Sequence, residues 1–208
     1  MPPEILFIDD MKRIAILIDW ENIRKQVFEV ARKPSSLNKF VNYNDVDNVL
    51  NFAKAFIGSD EEIYRIFIYL SRPLEKTIWK GREVDFSHEP AYQFGVRFIE
   101  NISPKDLVAV RKGKLQYRGP RQNGNPDFVQ KQVDMLMGLD ISHLSFYHLV
   151  DRMLILSYDT DFVPALKIAR THGIQICVGY CPDIQALSAE VKTHSDYIRE
   201  KSFLSIFP

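Results

Sequence analysis

Short apolar runs alternate along this chain with longer amphipathic stretches, and this alternation constrains the fold more than any other feature. The apolar runs lack the period-two pattern of a half-exposed sheet, which favours strands that are covered on both faces. We therefore predict an α/β fold with a doubly wound parallel sheet flanked by helices. The predicted strands are Arg13–Ile18, Ile63–Leu70, Val96–Ile99, Met153–Leu156 and Ile174–Val178. The predicted helices are Glu21–Arg32, Asp45–Phe56, Phe162–His172 and Asp183–Lys192.

Two stretches depart from this rhythm. Residues Ser71–Pro90 have mixed polarity and contain prolines, so we expect an irregular connection there. Residues Leu107–Gly119 alternate around Lys112 and Gly113, which predicts a small β-hairpin insertion with a glycine turn. We expect Pro120–Pro126, which follows, to be a loop. A length of 208 residues suits a single domain over 1–208, with its motifs within about 13–180 and a C-terminal extension over 181–208.

Composition says little about the kind of partner the protein binds and more about the cellular compartment in which it is expected. The 27 basic and 27 acidic residues cancel, so net charge gives no indication of a polyanionic partner. Cys177 and Cys181 are expected to be buried core thiols, because no other cysteine or histidine pair completes a zinc site. No apolar stretch approaches the roughly 20 residues that span a bilayer. The first residues, MPPEILFIDDMKR, carry acids where a signal peptide carries bases, so we expect a cytoplasmic protein.

Acidic residues follow two of the predicted strands directly. Asp19 comes after the first strand, and Asp159 and Asp161 come after the fourth. The carboxyl ends of parallel strands form the crevice in which such folds bind ligands, so these side chains should meet there. Asp134 lies in a predicted helical segment, Phe128–Leu139, that leads toward the fourth strand and could close the crevice from the side.

A cluster of carboxylates needs a counter-charge. Two carboxylates 4 Å apart repel each other by roughly 4 kcal/mol at an effective dielectric near 20, and a divalent cation removes that cost. Oxygen ligands without histidine or cysteine favour Mg²⁺ or Mn²⁺ over zinc. The sequence therefore predicts a Mg²⁺ or Mn²⁺ site at Asp19, Asp134, Asp159 and Asp161, suited to hydrolysis of a phosphodiester bond.

Plainer roles for the same residues stay open. Asp19, Asp159 and Asp161 could simply cap the helices that follow them, and Asp134 could lie on a solvated helix face. Asn22, one turn beyond Asp19, could orient a metal-bound water, hold the Asp19 rotamer, or be a surface residue. Two residues are secondary candidates. Ser157 could bond Asp159 or a phosphate, and Asp140 is peripheral because it lies about 120° around a helix from Asp134.

A basic segment precedes Asp134. From Lys105 to Lys131, seven basic residues stand against Asp106 and Asp127, an excess of five positive charges in a neutral protein. Phosphate contacts with stacked bases use this combination of basic and aromatic residues, although a solvated hairpin is the alternative. The nucleic-acid-binding candidates are Arg111, Lys112, Lys114, Tyr117, Arg118, Arg121 and Lys131. Lys131 is expected one helical turn before Asp134, within reach of the scissile phosphate.

Three motifs carry a family resemblance. Residues 18–23, IDWENI, resemble the opening D-x-x-N motif of NYN-domain proteins, a branch of the PIN-like nucleases. Residues 131–134, KQVD, followed by Asp140, resemble that family's K-G-V-D…D element, and residues 157–164, SYDTDFVP, resemble its S-G-D-x-D-F-x-P signature. The chain looks most like the LabA-like and limkain-like groups. It differs at Gln132 and Tyr158, where the family usually has glycine, and a tyrosine beside the acids would narrow the pocket or stack on a base.

The resemblance implies a fold, an activity and a set of residues. The fold would be a PIN-like Rossmannoid sheet, and the activity a metal-dependent ribonuclease acting on single-stranded or structured RNA. Its catalytic residues would be Asp19, Asn22, Asp134, Asp159 and Asp161. The alternatives are a catalytically weak RNA-binding or scaffold module and, less favoured, a phosphatase with an aspartate nucleophile. The sequence is compatible with a homodimer as well as with a monomer.

Overall fold

The computed structural model describes residues 11–31 and 45–207 of the chain. Arg32, the expected end of the first helix, and residues 1–10 lie outside the described residues. The strands are β1 (Lys12–Asp19), β2 (Glu61–Arg72), β3 (Lys76–Trp79), β4 (Arg82–Asp85), β5 (Val108–Pro120), β6 (Pro126–Lys131), β7 (Arg152–Leu156), β8 (Gln175–Tyr180) and β9 (Tyr197–Glu200). The helices are α1 (Trp20–Ala31), α2 (Val46–Lys54), α3 (Pro90–Ile102), α4 (Val133–Phe146), α5 (Val163–Thr171), α6 (Ala189–Thr193) and α7 (Phe203–Ile206).

One mostly parallel sheet organises these elements. Its strand order is β6-β5-β2-β1-β7-β8-β9, and only the β5–β6 pair is antiparallel. From β1 the chain moves outward through β2 to β5, then returns through α4 to β7 on the other side of β1. Right-handed crossovers in opposite directions place α1 to α3 on one face and α4 and α5 on the other. The strand order thus reverses between β1 and β7, and ligands bind at such switch points.

Burial explains why the central strands are continuous apolar runs. Residues 14–18 of β1 and 153–156 of β7 are completely buried, because helices cover both faces of the sheet. The predicted α/β class is therefore confirmed, together with the first, second, fourth and fifth strands. Both cysteines are free and buried, as expected. In the described part of the chain, no helix has the length and apolarity needed to cross a bilayer.

The third predicted strand, Val96–Ile99, is wrong: these residues lie inside α3. An apolar run of four residues fits a strand or a helix equally well. The longer spacing decides, since Phe94, Phe98 and Ile102 recur every four residues along one helix face, and Pro90 stands in the first turn where its missing N–H is harmless.

The hairpin predicted over Leu107–Gly119 is also misplaced, because Lys112 and Gly113 lie in the middle of the single strand β5. A Cβ atom on Gly113 would come within 2.6 Å of the Lys131 carbonyl oxygen and 2.7 Å of the Val133 side chain. Glycine is therefore required at position 113 because the junction of β6 and α4 passes close to the β5 backbone, and the chain does not turn there. The chain turns at 121–125, within the predicted loop, and pairs β5 with β6.

Three further boundaries differ from expectation. The connection Ser71–Pro90 contains an antiparallel hairpin, β3–β4, whose short strands carry no long apolar pattern. The helix expected over Asp183–Lys192 is reduced to α6, which Ser188 caps by accepting from the Val191 amide at 3.1 Å. The segment Phe128–Leu139 is a strand as far as Lys131, so Lys131 does not lie on the helix of Asp134.

Candidate active site at the carboxyl edge of the sheet

The ends of β1 and β7 form the centre of the candidate site. Ile18 pairs with Leu156 across the two parallel strands, and the chain leaves both strands within one or two residues of that pair. Asp19 is the last residue of β1 and is only 5% exposed. Ser157 follows β7 and is buried, Asp159 is half-buried and Asp161 is exposed. The strand order therefore brings these residues to the switch point of the sheet.

Asn22 ties the two strand ends together. Its backbone N–H donates to Asp19 Oδ1 at 3.1 Å, which is the bond of a capping aspartate. Its side-chain Oδ1 accepts from the Tyr158 N–H at 3.0 Å, across 136 residues of sequence. Asn22 is therefore placed to hold the Asp19 rotamer and the loop after β7 in a common frame.

The loop after β7 is ordered by its own side chains. The Asp159 N–H donates to Ser157 Oγ at 3.2 Å, and the Asp161 N–H donates to Asp159 Oδ1 at 3.1 Å. These bonds use one oxygen of Asp159 and keep the loop folded back at the sheet edge. Capping alone does not account for the arrangement, because α5 begins at Val163 without a side-chain cap.

Asp134 reaches the same edge from the first turn of α4. The residue as a whole is exposed, but neighbouring atoms exclude part of the water from its carboxyl group. This partial desolvation and the charges of Asp159 and Asp161 raise the pKa of Asp134, while Lys25 opposes the rise. Asp134 is thus electrostatically coupled to the loop after β7. Lys25 was missed by the sequence argument, although it lies one helical turn beyond Asn22.

Asp19 has the most perturbed carboxyl group of the site. Its pKa is raised from 3.8 to about 7, chiefly because burial removes water, and further by the charges of Asp134, Asp159 and Glu21. The hydrogen bond from Asn22 lowers the pKa and is outweighed. Mutual repulsion within this group of acids is the expected signature of a site that takes a cation.

The donor set suits a hard divalent cation, but it does not form a closed cage. Within residues 11–31 and 45–207, no three His, Cys, Asp or Glu side chains are grouped closely enough to enclose a metal ion. Mg²⁺ does not require such a cage, since it is usually held by one or two carboxylates and keeps several waters. The residues present therefore fit a Mg²⁺ or Mn²⁺ ion bound through few protein oxygens.

Asp140 and Arg111 form an ion pair between α4 and β5. Arg111 Nε lies 2.6 Å from Asp140 Oδ2 and Arg111 Nη2 lies 3.1 Å from Asp140 Oδ1. The Tyr69 hydroxyl donates to the same carboxylate at 2.8 Å, and the guanidinium lies 5.0 Å from the centre of the Phe67 ring. Arg111 does not flank a hairpin turn, as the predicted hairpin required: it is a strand residue that fastens β5 to α4, and its guanidinium is already paired.

The remaining basic candidates separate into two groups. Lys112, Lys114, Arg118 and Lys131 are exposed on β5 and β6 and make no ion pair with other described residues. Arg121 is paired with Asp127 at 2.9 Å in the β5–β6 turn. Lys112 and Lys114 are thus available to a phosphate backbone.

Tyr117 is engaged by other aromatic rings. Its centroid lies 5.3 Å from Trp79, 5.1 Å from Phe86 and 5.7 Å from Phe128. This cluster attaches the β3–β4 hairpin to the β5–β6 pair. Base stacking by Tyr117 stays a prediction, but its ring already has a packing role.

The two departures from the family pattern have different structural consequences. Gln132 adopts φ +74°, a left-handed conformation that favours glycine, which is the residue of the K-G-V-D pattern at this position. Tyr158 is buried, and its hydroxyl bonds the backbone of Cys181. The expectation that its ring narrows the pocket or meets a base is therefore wrong, since the ring belongs to the core.

The structure contains a cavity beside Asp19 that the sequence did not predict. It has a volume of about 370 Å³ and lies between the first turns of α1, the helix α3, and the β5–β6 pair. Its aromatic walls come from distant parts of the chain, namely Trp20, Phe86, Phe94, Phe98 and Phe128. Only the fold brings them together, so no local pattern could have revealed the cavity.

Comparison with known proteins agrees with this architecture. A protein of unknown function from Vibrio parahaemolyticus has a similar crystal structure, with a TM-score of 0.55 over 94% of this chain and 96% of that one. At 17% identity, that likeness shows the fold alone. No curated protein matches the chain. The family model of the NYN domain matches residues 13–201, nearly the whole length, and this range contains all of the acidic residues above. The chain therefore belongs to the NYN domain family, whose fold is nuclease-like.

Proposed function

We propose that this protein is a metal-dependent endoribonuclease that cleaves RNA phosphodiester bonds at the carboxyl edge of its sheet. The observation that carries the proposal is the convergence of Asp19, Asp134 and Asp159 from three separate parts of the chain: the charges of Asp134 and Asp159 raise the pKa of Asp19, and the charge of Asp159 raises the pKa of Asp134. Membership of a nuclease-like family supports it. A structural cap needs no such convergence.

Each residue of the site has a distinct task in this proposal. Asp19, Asp134, Asp159 and Asp161 would hold Mg²⁺ or Mn²⁺, one or two of them directly and the others through its waters, and the ion would supply an activated water and stabilise the leaving oxygen. Asn22 keeps Asp19 and the loop after β7 in register through its two hydrogen bonds. Ser157 fixes the backbone of that loop by accepting from Asp159. Asn22 and Ser157 are thus positioning residues.

The electrostatic surroundings favour a polyanionic substrate. Lys25 is exposed and acts on the charge of Asp134, and Lys112 and Lys114 are exposed beside the last residues of β2, beyond the level at which β1 ends with Asp19. A phosphate backbone that passed these lysines would be held beside the acids without contacting Arg111, which is occupied by Asp140. Binding of this kind weakens with salt, because each phosphate contact releases counterions.

Incubation of labelled RNA and DNA with Mg²⁺, Mn²⁺ or chelator tests the proposal. We expect cleavage of RNA only with metal, and a loss of roughly 100-fold or more in Asp134→Asn, which changes an exposed residue and should leave the fold intact. Asp106→Asn, an exposed change in the turn before β5, is the matched control and should cleave normally. Full activity of Asp134→Asn, or equal activity in chelator, would contradict the proposal.

A second candidate follows from the open arrangement of the acids. Since no three ligands among the described residues form a ready-made cage, the same edge could bind RNA without cutting it. Salt-dependent RNA binding combined with no cleavage in either metal would favour this candidate over the nuclease.

A further inference from the structure

The cavity between α1 and α3 adjoins the acidic site on two sides. Trp20 and Glu21 line it and directly follow Asp19 in the chain. Lys25 also lines it and acts electrostatically on Asp134. A ligand in the cavity therefore lies next to anything bound at the acids.

The cavity is built from stacked rings. Trp20 and Phe98 are nearly parallel, with an interplanar angle of 9° and 5.7 Å between centroids. Phe94 continues the series at 6.1 Å and 26° from Phe98. Trp20 and Phe98 are buried, whereas Phe94 is 42% exposed. The stack thus ends at the surface on a ring that is partly uncovered.

The cavity also offers polar groups and a basic continuation. Gln130 lines it, and its side-chain amide makes no hydrogen bond with another described residue. A second, larger cavity of about 870 Å³ shares Pro73, Tyr92 and Leu115 with the first. Its walls include Arg72, Lys112 and Lys114. A mostly apolar cavity therefore opens into a basic groove, in whose lining four basic residues stand against Glu75 and Glu100.

We propose that this cavity receives one unstacked nucleobase of a single-stranded RNA whose backbone runs from the basic groove to the acidic site. The inference rests on the ribonuclease function proposed above and specifies its substrate. Aromatic cavities hold bases by stacking, and an amide can bond a base edge. A volume of about 370 Å³ lies in the range of small-molecule sites and accommodates a planar ring system. A base in a duplex is paired and stacked, so the cavity selects unpaired nucleotides.

Charge separates this occupant from an apolar peptide. The lining of the cavity carries Arg24 and Lys25 against Glu21 and Glu89, so its charges cancel, whereas the adjoining groove has an excess of basic residues. This combination suits a ligand with an uncharged aromatic ring and a phosphate backbone, and an apolar peptide would need no basic groove beside its site. A nucleotide within a strand matches both features.

The test compares binding of an RNA of about twelve nucleotides with binding of the same ribose-phosphate strand without bases, in chelator so that nothing is cut. We expect the wild-type chain to bind the intact strand roughly 5- to 150-fold more tightly. Phe94→Ala should remove most of this preference. Ala91→Trp, which fills the cavity from an exposed position on α3, should remove it without deleting a ring. Phe146→Ala, an exposed ring on the opposite face, is the control and should retain it.

The outcomes separate the two proposals. A preference for intact RNA that survives both Phe94→Ala and Ala91→Trp, or equal binding of single-stranded and duplex RNA, overturns the cavity assignment and leaves the nuclease proposal standing. Absence of any RNA binding overturns the cavity assignment, whereas cleavage with Mg²⁺ or Mn²⁺ decides the nuclease proposal independently. A strand without bases that binds the wild-type chain as tightly as intact RNA also overturns the cavity assignment, because phosphate contacts alone would then account for affinity.

Discussion

Asp19→Asn should stabilise the metal-free protein, although it removes a residue of the candidate site. Asp19 is 5% exposed, and its pKa is about 7 in the folded chain against an ordinary value of 3.8. The folded state therefore holds a proton that the unfolded chain releases between these two pH values. Its free energy of unfolding falls as the pH rises through this window.

The structure gives the size of the effect. The difference between the two pKa values corresponds to about 4 kcal/mol at a pH well above 7, as an upper limit for removing the charge. Asparagine keeps an oxygen for the Asn22 N–H, so the capping bond survives. For a chain of this size, we expect a rise in Tm of up to about 10 °C at pH 8. At pH 4 or below, where Asp19 is protonated in the folded chain, the difference should almost vanish.

Thermal unfolding in chelator at pH 4, 6 and 8 measures this effect. Asp106→Asn, an exposed turn residue, is the matched control and should shift Tm little at any pH. In excess Mg²⁺ the wild-type protein should have the higher Tm, because the ion binds and stabilises only the chain that retains the Asp19 carboxylate. A variant less stable than wild type at pH 8 in chelator would refute the reasoning, since it would mean that the Asp19 carboxylate is stabilised in the folded chain without a cation.

Three further predictions concern stability. Burial raises the pKa of Glu61, but hydrogen bonds from Arg199, Gly58 and Arg152 outweigh it and bring the pKa to about 2, below the ordinary 4.5. The stabilisation of the folded state by the Glu61 carboxylate is therefore complete above pH 4.5 and is lost as the pH falls toward 2. Glu61→Gln should cost about 3 kcal/mol in urea unfolding at pH 7, and an unchanged midpoint would contradict this pairing. Gly113→Ala should lower the free energy of unfolding by about 1–3 kcal/mol, because the added methyl group collides with the Lys131 carbonyl oxygen. Gly138→Ala is the control: its methyl group meets only Ala165, at 3.8 Å, so the change should be neutral or stabilising. Gln132→Gly should raise the free energy of unfolding by up to about 1 kcal/mol, because glycine adopts the positive φ of this position without strain. Gln116→Gly in β5 is the control and should lower the free energy of unfolding. A change of the same sign in both variants would contradict backbone strain at Gln132.

The parts of the fold that could be predicted are those encoded by local pattern. Buried parallel strands are apolar throughout, so β1, β2, β7 and β8 stand out in the sequence. The acids that follow β1 and β7 could be assigned to one edge because parallel strands share their carboxyl end. Both inferences need only the order of residues and the geometry of a parallel sheet.

Errors arose where a partner distant in sequence determines the local structure. Gly113 looked like a turn residue, yet its lack of a side chain serves the passage of Lys131 and Val133 over β5. Val96–Ile99 looked like a strand because the helical spacing of Phe94, Phe98 and Ile102 extends beyond the tetrapeptide. In both cases the short pattern was compatible with two structures, and packing against another element decided between them.

The same distinction separates the acids of the candidate site from its surroundings. An acid at a strand end is placed by the strand alone, whereas a basic residue on an edge strand is free or paired according to what packs beside it. Arg111 and Lys112 are neighbours in β5, but the alternation of a strand turns Arg111 toward Asp140 on α4 and leaves Lys112 exposed to the basic groove. Substrate contacts in this family should therefore be assigned by strand face, and a basic residue that faces α4 should be counted as structural even when it lies within a basic segment.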